Sequence, residues 1–72
     1  MKKIMINTPY IKLDQFLKLA NVCGSGGEAK EIIQRGCIYV NDRIETRRGK
    51  KLIDGDRIRI NHEDYLVCQD GD

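Results

Sequence analysis

The stretch SGGEAKEIIQRGCIYVN, Ser25 to Asn41, decides the fold, because the spacing of its apolar residues changes partway through. Ser25-x-x-Glu28 is a helix-start pattern. The Ser25 hydroxyl can accept from the Glu28 backbone N–H while the Glu28 side chain reaches back to Ser25. Ala29, Ile32 and Ile33 then fall on one helical stripe, and Gly36 stands where a left-handed C-terminal cap is needed. A helix over 26–35 is expected. Beyond Gly36 the period drops to two: Ile38 and Val40 share one face with Tyr39 opposite, and Asn41-Asp42 supplies a turn before Ile44.

Upstream, Leu13, Phe16, Leu17 and Ala20 sit at i, i+3, i+4 and i+7, which predicts a first helix whose positive start suits Asp14. Residues 3–7 can form a short strand, with Pro9 as punctuation before that helix. Downstream, Leu52-Ile53 is a short apolar pair and Asp54-Gly55-Asp56 a turn. Arg57 to Ile60 alternates as a half-buried strand with both arginines on its wet side. His62-Glu63-Asp64 is expected to turn the chain again, returning residues 65–68 as a hairpin partner. The order of one strand, two helices and several short strands predicts an α+β fold, two packed helices against a small, mainly antiparallel sheet.

With 72 residues the chain has room for one small core, so residues 1–72 are expected to form a single domain that acts as a monomer. Met1-Lys2-Lys3 imitates the start of a signal peptide. The apolar run behind it, Ile4 to Ile6, is too short for a secretory core or a membrane span, so a cytoplasmic protein with no membrane partner is expected. Cys23, Cys37 and Cys68 are odd in number and contain no C-x-x-C pair, which argues for reduced, buried thiols rather than a disulfide framework.

The net charge is only +2, but its distribution is uneven. From Arg43 through Arg59 there are seven cationic residues (Arg43, Arg47, Arg48, Lys50, Lys51, Arg57 and Arg59) against three acids (Glu45, Asp54 and Asp56). After Arg59 come only acids: Glu63, Asp64, Asp70 and Asp72. Such segregation predicts one positive face, the footprint of a polyanion partner. The run Arg47-Arg48-Gly49-Lys50-Lys51 has no matching block of acids, and Gly49 would let its loop bend around a phosphate ridge. Gly26 and Gly27 leave the free N–H groups of a helix start unscreened, so a phosphate could approach there.

Other chemistries fit poorly. Gly24 to Gly27 is neither G-x-G-x-x-G nor a P-loop, which disfavours nucleotide hydrolysis. The cysteines and the lone His62 are scattered rather than paired, so no metal or other cofactor is expected, and one histidine without a sequence-level partner makes an enzyme improbable. Tyr10, Tyr39 and Tyr65 are of a type that stacks bases, but in so small a protein they are read as core or rim residues, Tyr39 being the best placed for contact.

Together the residues Lys12-Leu13-Asp14, Phe16-Leu17, Ser25-x-x-Glu28-Ala29, Ile32-Ile33, Gly36, Ile38-x-Val40-Asn41 and Gly55-Asp56-x-Ile58 resemble the RNA-binding domain first defined in small-subunit ribosomal protein S-four, over residues 12–60. With LDQFLKLA, SGGEAK, VND and RRGKKL the chain is most similar to short stand-alone bacterial forms of the YaaA and YbcJ type. The resemblance implies the alpha-L RNA-binding motif: two helices on a small sheet, with RNA along the start of the second helix and the basic loop. It implies contacts from Lys12, Ser25, Gly26, Gly27, Lys30, Arg47, Arg48, Lys50 and Lys51, with Arg43, Arg57 and Arg59 as secondary contacts and Asn41 shaping its turn. Many family members carry arginine at the positions of Lys12 and Gly26. Lysine keeps the charge without the planar fork, whereas glycine removes it.

The expected function is therefore non-catalytic binding of structured RNA, ribosomal or transfer RNA, through backbone shape and charge, in ribosome assembly or translation. The alternative is an adaptor of the same fold that docks to a ribosome-assembly or replication protein. A DNA reader is less well supported, since a helix opened by two glycines offers few base-reading side chains at its start.

Overall fold

A computed structural model describes residues 1–70 of the chain; Asp72, one of the acids in the charge pattern, lies outside the described residues. The elements are β1 (Lys2–Ile6), β2 (Ile11–Lys12), α1 (Leu13–Leu19), α2 (Gly26–Gln34), β3 (Ile38–Val40), β4 (Arg43–Ile44), β5 (Lys51–Leu52), β6 (Arg57–Ile60) and β7 (Glu63–Gln69).

Local chemistry sets both ends of α2 and the end of α1. The Glu28 N–H donates to Ser25 Oγ at 3.2 Å, as the capping pattern requires. The Glu28 carboxylate differs from expectation: it accepts from the Gly24 N–H at 3.1 Å, one residue beyond Ser25, and so holds the approach to the helix as well as its cap. Gly36 takes φ +73 beyond Arg35, and its N–H donates to the Ile33 carbonyl at 3.2 Å. α1 ends in a Schellman motif that the sequence did not advertise, with Asn21 at φ 61. The Val22 N–H reaches the Leu17 carbonyl at 2.9 Å, and the Asn21 N–H reaches that of Lys18 at 3.1 Å.

The helices share one core with a five-stranded sheet ordered β1-β7-β6-β3-β4. β6 alternates as expected: Ile58 and Ile60 are buried, Arg57 and Arg59 exposed. Tyr39 is exposed between buried Ile38 and Val40. Leu13, Phe16 and Leu17 of α1 and Ala29 and Ile33 of α2 close over Ile38, Ile58, Tyr65 and Val67, and the Phe16 ring meets the Tyr65 ring edge-on at 6.1 Å and 89°.

Several expectations need correction. The turn between β6 and β7 is Asn61-His62, both with positive φ, rather than His62 to Asp64; Glu63 and Asp64 already belong to β7, paired with Ile60 and Arg59. The same two-residue geometry joins β3 to β4 at Asn41-Asp42, matching the right-handed twist of the strands it connects. The first strand starts one residue earlier than expected and pairs in parallel with β7, Ile4 opposite Val67. The cysteines are free, but only Cys23 is buried. Cys37 is exposed just past the Gly36 cap, and Cys68 alternates with buried Val67 and so faces outward.

A second, two-stranded sheet pairs β2 with β5 in antiparallel register, Ile11 opposite Leu52 and Lys12 opposite Lys51. It buries Leu52 and leaves Ile53 exposed, separating the apolar pair that the sequence shows. No helix among the described residues is long and apolar enough to cross a membrane.

Candidate functional site

The first turn of a helix has backbone N–H groups with no partner inside the helix. In α1 two of them are met by the basic loop: the Leu13 N–H donates to the Lys50 carbonyl at 2.8 Å, and the Asp14 N–H to the Arg48 carbonyl at 3.1 Å. The loop itself is closed by the Lys50 N–H on the Arg47 carbonyl at 3.2 Å. Gly49, in that turn, has no positive φ, so the bend does not use the freedom peculiar to glycine.

These bonds, with the Lys12–Lys51 register, bring Lys12, Arg48, Lys50 and Lys51 to one place although 35 residues separate the first two. None of the four forms an ion pair among the described residues. Lys50 also lines a shallow depression with Arg43, Arg47, Glu45 and Asp56.

Arg47 behaves differently. Its Nε and Nη2 donate to the two Glu45 oxygens at 2.9 and 3.2 Å, and its backbone N–H donates to Glu45 Oε2 at 3.0 Å. The loop therefore does have a local acid, and its charge is partly neutralised. The guanidinium bond holds the Glu45 carboxyl below its ordinary range. Arg59 is likewise bound to Asp64, Nε to Oδ1 at 2.9 Å, which lowers the Asp64 carboxyl, and Arg57 to Asp42 at 3.2 Å. Both arginines lie on the solvent face of the sheet, each with its own carboxylate. Asp64 is thus no part of a separate acidic pole.

Because the Glu45 and Asp64 carboxyls titrate lower in the folded chain, the stabilisation they contribute is present above their unfolded pKa values and is lost as pH falls through the folded ones. Acidification, not alkalisation, releases Arg47 and Arg59.

Asn41 organises its turn, as the resemblance implies. Its Oδ1 accepts from the Arg57 N–H at 2.9 Å and its Nδ2 donates to Asp56 Oδ1 at 3.0 Å. The start of α2 is a separate element. Ser25 to Gly27 and Lys30 have no hydrogen bond or ion pair to residues 45–51 among the described residues, and α2 connects to the loop through its packing on α1. Neither Gly26 nor Gly27 has positive φ, and a Cβ at Gly26 would meet nothing within 4 Å, so neither backbone nor packing requires glycine there.

Sequence reasoning did not single out Tyr10. Its ring lies under the Lys51 ammonium, 4.8 Å from the centroid, and the residue is 40% exposed. Tyr65 is core and Tyr39 is exposed, which separates three tyrosines that composition could not.

Two helices layered on a mainly antiparallel sheet, with cations gathered where a basic loop caps the first helix, define the class of small α+β domains built on the alpha-L arrangement. The chain belongs to the S4 domain family, whose model matches residues 4–68. It is 49% identical over 57 residues to the probable ribosome maturation protein RlbA of Bacillus subtilis (strain 168), covering 79% of this chain and 80% of that protein. It also superposes on the solution structure of YbcJ from E. coli with a TM-score of 0.72 and 28% identity, over 94% of this chain and 87% of the other. YbcJ is described as having an alpha-L motif involved in RNA binding.

Proposed function

We propose that this chain is a single-domain, non-catalytic RNA-binding protein of the cytoplasm, acting in ribosome maturation, and that it holds structured RNA by backbone and charge contacts. The observation that carries this reading is the backbone convergence of Lys12, Arg48, Lys50 and Lys51, none of which forms an ion pair among the described residues, around backbone bonds that make their positions independent of side-chain identity. Membership of the S4 domain family and the likeness to RlbA and YbcJ support it. Ribosomal RNA is the ligand that fits the RlbA likeness, with transfer RNA as the comparison. Arg47 and Arg43 flank the four cations, and the open start of α2, Ser25 to Gly27 with Lys30, supplies a second phosphate contact. Arg57 and Arg59 contribute less, because each would have to give up a carboxylate.

Neutralising about four phosphates makes the logarithm of affinity fall against log salt with a slope of roughly −3. Fluorescence anisotropy with a ribosomal RNA hairpin, from low to moderate salt, measures it; a flat dependence would remove the proposal. Glu45→Gln frees Arg47 for a further phosphate, so the slope should steepen by about 0.7–0.9 and affinity should rise. Competition with duplex DNA at one fixed salt concentration distinguishes RNA shape from charge alone.

Gly26→Ala separates the two readings of the α2 start. Alanine is the better helix former, so melting should move up by a few degrees, in line with a gain of up to about 1 kcal/mol. The added methyl screens the N–H groups, so RNA affinity should fall about two- to fivefold. Greater stability with unchanged affinity would leave Ser25 and its glycines as a cap alone.

A further inference from the structure

We infer that Tyr10 is a base-stacking residue at the edge of the cationic surface, so that the preferred ligand is a duplex bearing an unpaired nucleotide rather than a continuous helix. This rests on the RNA-binding reading above and adds a contact that charge alone does not provide.

Ile11 packs against the core, while Tyr10 before it and Lys12 after it are both exposed. Pro9 restricts the backbone immediately before Tyr10, and the Thr8 hydroxyl donates to the Tyr10 carbonyl at 2.8 Å. The ring is therefore presented by a short preorganised segment leading directly into β2. Lys51, opposite Lys12 in register, sets its ammonium 4.8 Å from the ring centroid, and 40% of the residue stays open to solvent. An aromatic ring beside a lysine that forms no ion pair among the described residues suits one nucleotide: the ammonium takes the phosphate while the base stacks on the ring face that Lys51 does not cover.

Tyr39 provides the contrast. It is about as exposed, at 39%, but its cross-strand neighbour is Arg59, which Asp64 holds. Its surroundings lack the uncompensated positive charge that would draw a phosphate, and Tyr65 is buried.

The test uses the full chain and two RNA hairpins of equal length and charge, one fully paired in its stem and one with a single bulged 2-aminopurine. Wild type should bind the bulged RNA about tenfold more tightly and quench its fluorescence. Tyr10→Phe should retain both effects, and Tyr10→Ala should lose both while still binding the paired stem. Tyr39→Ala should behave as wild type. Equal weakening of Tyr10→Ala on both RNAs would assign the tyrosine to positioning Lys51 and overturn the stacking role, as would unchanged quenching. If wild type binds neither hairpin in a salt-dependent way, the RNA-binding reading itself falls. Salt-dependent binding with a silent Tyr10 overturns only the inference drawn here.

Discussion

Reversing Lys12, Arg48, Lys50 and Lys51 to Glu should lower RNA affinity by about a thousandfold at 0.1 M salt and bring the salt slope close to zero. The magnitude follows from the slope. A value near −3 means that each tenfold change in salt alters affinity by about 10³, and this share disappears once no counterions are released. Repulsion between the new carboxylates and phosphate adds to the loss. The fold should survive, because the bonds joining the loop to α1 come from the Arg48 and Lys50 carbonyls, which any residue supplies. A carboxylate at position 12 also faces the positive start of α1, a favourable placement. Circular dichroism should therefore show an unaltered spectrum beside the lost binding. Affinity within a factor of three of wild type would exclude this surface as the RNA site.

Phe16→Ala should destabilise the chain by about 3–5 kcal/mol, through lost transfer free energy and the cavity left behind. Phe16 has no exposed surface, and it is the residue of α1 that meets Tyr65 of β7 edge-on. A domain of 72 residues has on the order of 4–11 kcal/mol of total stability, at about 0.05–0.15 kcal/mol per residue. The substitution consumes much of that, so a large unfolded population is expected at 37 °C. Urea unfolding followed by far-ultraviolet circular dichroism should show a sharply lower midpoint with little change in slope. A loss under about 1 kcal/mol would contradict the packing of α1 on the sheet. Because Phe16 is fully buried and offers RNA no surface, any RNA-binding defect in this variant should disappear at temperatures where it is folded.

The two experiments address different layers, and the layers were unequally readable. Both helices were visible in the residues, since capping and the 3.6-residue stripe act within a few positions: Ser25 with Glu28, Leu13 with Phe16 and Leu17, Gly36 after Arg35. The alternation of β6 was visible for the same reason. β2 and β5 were not, because two residues are too few to show a period and their pairing spans about half the chain. The parallel pairing of β1 with β7 likewise joins distant residues that have no turn between them. The misplaced β6–β7 turn had a local cause. Glu63 and Asp64 look like turn residues, but the left-handed conformations fell to Asn61 and His62, freeing both acids to pair across the hairpin.

The candidate site divides along the same line. The cationic run at 47–51 and the glycine-opened helix start are properties of the chain as written, and so is the family to which it belongs. Which cations remain available is a property of register. Arg59 meets Asp64 because a two-residue turn places them opposite one another, and Arg57 of β6 meets Asp42 because β6 pairs with β3, which runs into the Asn41-Asp42 turn. Lys12 joins Lys51 because the loop carbonyls cap α1. Composition set the number of charges, and short-range periodicity set the helices. Glu45 with Arg47 and Asp64 with Arg59 are neighbours in the chain or across one tight turn. Only the tertiary structure decided that Lys2 meets Glu63 and Arg57 meets Asp42, since ion pairing depends on separations of a few ångströms that long-range strand pairing establishes there.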